Sequence, residues 1–278
     1  MDKDNVIALL NQDMENEHGA IIQYLVHAYA MGEGEIACEI EAIAREEMRH
    51  LDWLAETIVA LGGVPSLKRG HMLMDGVTVA DWMGRNVSLE EGAITQYREH
   101  IEAIDDPGIK RLLRRILSDE ESHSLDFHLF VDEVQEEGLR DLRGSRDDGI
   151  TQTLNWAIEH EYTVILQYML QSYLTTNNDA KRELEDQAIN EMQHLGWLSE
   201  KMVGIGGNPR IEHAEVDQSA EITDILQSDI KMEIEVAAVY DRFSKELDAP
   251  DLKRLFKRLK AHEVYHEKIF SDLLKDER

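Results

Sequence analysis

The chain has 278 residues, 42% of them hydrophobic, which allows one or two domains with apolar cores. Its 57 acidic residues outnumber 29 basic ones, and a formal net charge of −28 argues against a nucleic-acid partner, because phosphate binding needs clustered Lys and Arg. One cysteine, Cys38, excludes a disulfide framework, and without a signal-peptide pattern or a long apolar run we expect a cytoplasmic protein with no membrane partner.

The first two predicted helices carry charged residues on their apolar faces. Residues 10–28 have apolar side chains at alternating spacings of four and three, which predicts one helix face, and Glu17 and Tyr24 lie on it. The second predicted helix places Glu47 and His50 on its apolar face in the same way. An unpaired carboxylate in a core is very costly, so these positions indicate a buried polar site.

A long connection and two more helices complete the pattern. Residues 62–78 form a connection long enough to cross a helical bundle from end to end. The third predicted helix then carries Glu90 and Tyr97 on its apolar face, and the fourth carries Glu120 and His123. The first part of the chain is therefore predicted to form four amphipathic helices.

The chain then repeats itself. Residues 47–54 (EMRHLDWL) reappear at 191–198 as EMQHLGWL, an offset of 144, and the Glu-x-x-His of 120–123 recurs at 263–266, an offset of 143. An offset so nearly constant over this length indicates a duplicated domain. We therefore predict an all-α chain of two tandem four-helix bundles, with domains at 1–137 and 150–278 and a polar linker at 138–149.

The glutamates and histidines on the apolar faces form one pattern in each repeat. Four buried carboxylates would repel one another, and divalent cations among them remove that cost. One Glu from each of two helices, with Glu-x-x-His from each of the other two, is the ligand pattern of two-metal carboxylate sites. A buried salt-bridge network without metal is the alternative. The predicted metal ligands are Glu17, Glu47, His50, Glu90, Glu120, His123, Glu161, Glu191, His194, Glu233, Glu263 and His266.

Three segments carry a resemblance to a known family. The motifs at 17–28, 47–50 and 119–123 are similar to helix signatures of bacterioferritins, so the chain resembles two fused bacterioferritin-type domains of the ferritin-like superfamily. The resemblance implies the ferritin-like bundle, with its crossover between helices two and three, and a di-iron site in each domain. It also implies bridging roles for Glu47, Glu120, Glu191 and Glu263, with one glutamate and one histidine completing each metal.

The resemblance also implies a function. A di-iron site of this kind oxidises Fe(II) with O2 or peroxide, as a ferroxidase in iron homeostasis. Two alternatives stay open: a di-manganese catalase or peroxidase, because the same ligand types accept manganese, and a metal- or haem-binding module that is not an enzyme. Tyr24 and Tyr168 are the candidate catalytic residues, either as hydrogen-bond donors to the site or as electron donors. The alternative is a buried tyrosine satisfied elsewhere.

Two methionines raise the question of a haem. Met48 and Met192 each follow a predicted ligand and point about 100° away from the core face. A methionine at this position binds haem across a dimer interface in bacterioferritins, which implies haem b between the two domains. Simple packing of the methionines is the alternative. The short linker favours antiparallel pairing of the two domains within the chain, and a homo-oligomer stays open.

The repeats differ beside their predicted ligands. Glu46 and Asp119 precede ligands in the first repeat, where the family commonly has acids that hold the ligand histidines. The second repeat has Asn190 and His262 instead. We therefore expect weaker metal binding or a different task in the second repeat, with His262 as an extra ligand as the alternative.

Overall fold

The computed structural model describes residues 1–32, 34–76, 78–137, 149–219 and 221–276, in two compact units. Unit 1 is Met1–Ser145 and unit 2 is Arg146–Arg278. The predicted all-α fold of two four-helix bundles is confirmed. The predicted linker lies outside the described residues except for Gly149, where α5 begins. The helices are α1 (Lys3–Met31), α2 (Glu35–Ala60), α3 (Val79–Ala103), α4 (Pro107–Glu137), α5 (Gly149–Leu174), α6 (Asn178–Gly204), α7 (Ile222–Glu246) and α8 (Pro250–Asp276).

Short polar side chains and prolines define where the helices begin. The Asp2 side chain caps α1 by accepting a hydrogen bond from the backbone of Asn5 at 2.9 Å. α4 begins at Pro107, and Asp106 Oδ1 accepts from the next two backbone N–H groups at 2.7 and 2.9 Å. The first N–H groups of a helix have no partner inside it, so these caps satisfy them. Proline fits the first turn because it has no N–H.

Most helices bury one face in their bundle, whereas residues 17–25 of α1 and 161–168 of α5 are buried on every side. In unit 1, α1 packs against α2 and α3, and α4 packs against α3 and α2. Leu10, Ile40 and Phe127 are fully buried in this core. In unit 2, α5 packs against α6 and α7 against α8, around a core that includes Tyr168 and Phe270. Within the described ranges, no helix has the length and apolarity needed to span a bilayer.

The connection between α2 and α3 is fixed against α1. Gly70 donates its backbone N–H to the carbonyl of Glu15 at 2.6 Å, and Leu73 donates to Gln23 Oε1 at 2.6 Å. Glycine is required at the closest approach, because a Cβ on Gly70 would lie 2.8 Å from the Glu15 carbonyl oxygen. The crossover therefore follows the helix that carries Glu17 and forms one wall beside the site.

Candidate metal centres

The structure brings the six predicted ligands of unit 1 together from all four helices. Their donor atoms form two overlapping groups, each with all atoms within 4.8 Å of one another, and every residue is buried. Glu47 and Glu120 belong to both groups. One group is completed by Glu17 and His50, and the other by Glu90 and His123.

These donor atoms converge without pairing. His50 Nδ1 lies 2.8 Å from Glu47 Oε2, and His123 Nδ1 lies 3.0 Å from Glu47 Oε1. Within the described part of the chain, both Nδ1 atoms, both Glu47 oxygens, Glu90 Oε2 and Glu120 Oε1 nevertheless have no hydrogen-bond partner of acceptable geometry. Buried donors and acceptors left unpaired are costly. Nitrogen and carboxylate oxygen atoms turned towards one centre fit a pair of divalent iron or manganese ions.

The pKa shifts of the unit 1 cluster also favour a bound cation. Burial, with the charge of Glu47 added, raises the pKa of Glu17 to about 8. Burial also raises the pKa of Glu90 and of Glu120 well above the usual range, and the neighbouring carboxylates add to the shift. Burial alone would lower the pKa of His123, but the close contact with Glu47 and its charge raise that pKa to about 10. Without a cation the cluster therefore holds protons, which a bound metal would displace.

Acidic side chains hold the outer nitrogens of both histidines in unit 1. His50 Nε2 lies 3.2 Å from Asp119 Oδ2, and His123 Nε2 lies 2.9 Å from Glu46 Oε2. Such contacts fix the orientation of an imidazole and increase its basicity as a ligand. The acids therefore turn both Nδ1 atoms towards the glutamates.

One tyrosine on α1 and one on α3 each donate a hydrogen bond to the cluster glutamate on the other helix. Tyr24 on α1 donates its hydroxyl hydrogen bond to Glu90 Oε1 on α3 at 2.5 Å. Tyr97 on α3 donates to Glu17 Oε1 on α1. In unit 2, Tyr168 donates to Glu233 and Tyr240 to Glu161 in the same way. All four phenols therefore donate hydrogen bonds to cluster glutamates, while a catalytic role for Tyr24 and Tyr168 stays a prediction.

Unit 2 repeats the inner arrangement. Its two donor groups share Glu191 and Glu263, and the unpartnered atoms among the described residues include both Glu191 oxygens and the two histidine Nδ1 atoms. His194 Nδ1 lies 2.6 Å from Glu191 Oε2, and His266 Nδ1 lies 2.7 Å from Glu191 Oε1. The remaining members are Glu161, with His194 in one group, and Glu233, with His266 in the other.

The surroundings of the unit 2 histidines differ from those in unit 1. His194 Nε2 lies 2.9 Å from His262 Nδ1, where unit 1 has an aspartate. Burial, and then the charge of His194, lowers the pKa of His262. Asn190 donates to the Asp186 carbonyl at 3.1 Å and to Gln187 Oε1 at 3.2 Å. His262 meets the outer nitrogen of His194, and the donor groups found among the described residues do not include it.

Sequence patterns missed several buried polar residues near the clusters. Asp13 and His100 face each other in unit 1, with His100 Nδ1 2.7 Å from Asp13 Oδ1. Asp229 in unit 2 is fully buried against Gln167, which donates to Asp229 Oδ1 at 2.7 Å. One signal was present, because Asp13 lies one turn before Glu17 on the same face of α1.

Met48 and Met192 lie on α2 and α6, each one residue after a cluster glutamate. Both side chains are half-buried. They belong to different units, and haem binding by these methionines stays a prediction.

Comparisons with known proteins agree with this architecture. The ferritin-like domain model matches residues 7–136 and 151–278. The bacterioferritin of Desulfovibrio desulfuricans is 31% identical over 127 residues, which cover 44% of this chain and 71% of that relative. The bacterioferritin of Streptomyces coelicolor is 32% identical over 124 residues, 42% of this chain and 74% of that relative. A solved structure, the Mycobacterium tuberculosis bacterioferritin BfrA, is 26% identical with a TM-score of 0.46 and covers 49% of this chain and 89% of that chain. Both halves match the same domain, so the chain belongs to the ferritin-like family and carries two bacterioferritin-type domains in tandem.

Proposed function

We propose that each unit binds two iron ions and that the chain oxidises Fe(II) with O2 or peroxide. The observation that carries this proposal is the convergence of buried, unpartnered carboxylate oxygens and imidazole nitrogens at one centre in each unit. The relatives at about 30% identity are bacterioferritins, which favours iron over other cations for the same donor set.

The two overlapping donor groups suggest a role for each ligand. Glu47 and Glu120 belong to both groups of unit 1, so these two residues would help to hold both ions. Glu191 and Glu263 take the same role in unit 2. The terminal ligands are then Glu17 with His50, Glu90 with His123, Glu161 with His194, and Glu233 with His266.

The side chains of each unit then act on charge and protons. Bound iron supplies one-electron redox chemistry. The four carboxylates neutralise the cations, and groups such as Glu17 give up their protons as metal enters. Tyr24 and Tyr97 keep the terminal glutamates in place through their hydrogen bonds. The surrounding helices bury all of the cluster residues.

The experiment compares metal content and Fe(II)-dependent O2 consumption in the wild type, Glu47→Gln, Glu191→Gln and the double variant. We expect about four iron ions per wild-type chain, about two in each single variant and none in the double variant. Glu133→Gln, an exposed acid on α4, is the control for lost charge. Manganese content with peroxide disproportionation would overturn the assignment to iron, and retention of four ions by the double variant would overturn the site.

We also propose that Met48 and Met192 bind haem b, supported by their position beside cluster glutamates and their half-buried side chains. Protein from haem-replete cells should show a Soret band that Met48→Leu abolishes. Absence of the band from the wild-type chain would contradict this assignment.

A further inference from the structure

A cavity in unit 1 connects the cluster with the surface. Its volume is about 240 Å³, and its walls come from α1, α3 and the crossover. Glu17 and Glu90 line its inner part, while the lining residues His71 and Ser88 are exposed. A small hydrated ion therefore has a path from solvent to the glutamates of unit 1.

Asp13 lines this cavity one turn before Glu17, with only 1% of its surface exposed. Gln96 Nε2 donates to Asp13 Oδ1 at 2.7 Å, and His100 Nδ1 lies 2.7 Å from the same oxygen. Asn16 fixes Gln96 in turn, donating to its Oε1 at 2.9 Å. Asp13 Oδ2 has no hydrogen-bond partner in the part of the chain that the structure describes.

This arrangement leaves one buried carboxylate oxygen for a ligand. The network around Oδ1 fixes the rotamer of Asp13, and Oδ2 stays unpaired on a side chain that lines the cavity. An unpaired buried carboxylate oxygen is costly, and a divalent cation is the partner that relieves the cost. Acidic clefts also concentrate cations and increase their rate of association.

We propose that the unit 1 cavity is the access route for divalent cations and that Asp13 binds each incoming Fe(II) on its way to Glu17. This inference rests on the proposed function, because it assumes that the cluster beyond the cavity binds metal. It adds a transit site that none of the twelve cluster ligands supplies.

Unit 2 lacks this polar lining. At the positions that match Asp13, Gln96 and His100, it has the apolar residues Ala157, Val239 and Phe243. Trp156 stacks on His160 with ring centroids 5.5 Å apart and meets Phe243 edge-on at 5.6 Å. These aromatic rings occupy the positions that match Gln12, Asn16 and His100 of unit 1.

Small lining residues of unit 1 are also larger in unit 2. Ala20 and Ala93 line the cavity, and their counterparts Val164 and Val236 are 2% and 3% exposed. Extra methyl groups at both positions narrow the same space between α5 and α7. We therefore expect metal to enter unit 2 more slowly than unit 1, although both clusters have the same ligands.

The experiment follows uptake of Co2+, whose visible absorbance reports binding without turnover, by stopped flow. The starting chain carries Glu191→Gln and Glu263→Gln, so that only unit 1 binds. In this chain we expect Asp13→Asn to slow uptake about tenfold, the low end of the gain that acidic clefts give, and to leave the final absorbance unchanged. Ala93→Val, which introduces the unit 2 residue, should also slow uptake.

Controls separate the possible failures. Glu99→Gln removes an exposed acid beside His100 on α3 and should leave the rate unchanged. Equal rates in the starting chain, Asp13→Asn and Ala93→Val would overturn the access route alone. A starting chain that takes up no Co2+ would overturn both the metal site and the route.

Discussion

The two units have the same inner cluster and different surroundings. Each supplies four glutamates and two histidines with their Nδ1 atoms facing the carboxylates, and each holds its terminal glutamates with two tyrosines. In unit 1, acids contact the outer nitrogens of both histidines, and a cavity lined in part by Asp13 and Gln96 reaches the cluster. In unit 2, His194 meets a second imidazole, and aromatic rings occupy the matching region.

This comparison distinguishes the residues that would bind the metal from the residues that contact those ligands and would change the affinity. The shared ligands account for a buried donor set in both units. Glu46 and Asp119 add negative charge behind the unit 1 histidines, whereas Asn190 and His262 add none. Because charge behind a ligand strengthens its bond to a cation, we expect unit 1 to bind metal more tightly than unit 2.

The largest effect on metal binding should come from exchanging these outer residues. Asn190→Glu with His262→Asp gives unit 2 the residues of unit 1 and should increase its Co2+ affinity roughly 10–100-fold. Glu46→Asn with Asp119→His should weaken unit 1 by a similar factor. Competition with a chelator measures both affinities, in chains whose other unit is disabled by Glu47→Gln or Glu191→Gln.

The control for this exchange is Asp132→Asn, which removes an exposed acid from α4 away from the cluster. It should leave the affinity of unit 1 within a factor of two or so, because exposed charges are screened by salt. If Asn190→Glu with His262→Asp leaves unit 2 unchanged, the outer residues do not explain a difference between the units.

The fold and the cluster were predictable because both follow from helical spacing. A helix face recurs every three to four residues, so Glu17 and Glu120 stood out as charges on apolar stripes. Because the domain is duplicated, the same residue types recur at the matching positions of the second repeat, which supports each assignment twice.

The polar contacts between helices were not predictable in this way. Asp13 pairs with His100 on another helix, and nothing in the spacing of α1 or α3 indicates that the two side chains meet. The same holds for the bond from Tyr24 to Glu90, because one-dimensional periodicity gives a face but not the partner across the bundle.

A second difference between the units concerns a buried acid. Asp229 of unit 2 occupies the position of Asn86 in unit 1, and burial raises its pKa to about 8. Gln167 donates to it, and the Gln171 amide lies 3.0 Å from its Oδ2. Asn86 instead accepts from Gln23 at 2.9 Å. Unit 2 therefore carries a proton at neutral pH where unit 1 has a neutral amide.

Asp229→Asn should remove a pH-dependent loss of stability from unit 2. The folded pKa near 8 lies above the value of 3.8 expected for an exposed aspartate, so stability is fully present below pH 3.8 and falls as pH rises towards 8. At about 1.4 kcal/mol per pKa unit, the shift from 3.8 to about 8 corresponds to about 6 kcal/mol, so we expect the variant to gain several kcal/mol at pH 8.5 and about 1 kcal/mol or less at pH 4.5.

Urea unfolding of the metal-free chain at both pH values measures this change. His27 Nδ1 lies 2.9 Å from Asn86 Oδ1, where unit 2 has Gln171, so Asn86→Asp with His27→Gln is the reciprocal variant and should lose stability as pH rises. A gain for Asp229→Asn that is equal at both pH values would show that packing, and not the buried proton, sets the stability of this position.

The smallest effect should come from the tyrosines, where the two units are alike. Tyr24→Phe removes the hydrogen bond to Glu90, and Tyr168→Phe removes the matching bond to Glu233. A hydrogen bond to a charged group contributes roughly 1.5–3 kcal/mol. Bound metal compensates for part of this loss, because it also holds the glutamate in place. We therefore expect each variant to lose about tenfold in Co2+ affinity in its own unit. Tyr265→Phe, at an exposed position, is the control.

A second measurement is the number of Fe(II) ions oxidised per O2 at saturating iron. This ratio should stay unchanged if the phenol only positions the glutamate. A changed ratio in Tyr24→Phe alone would show that the tyrosine supplies electrons in unit 1, and the difference between the units would then extend into the cluster itself.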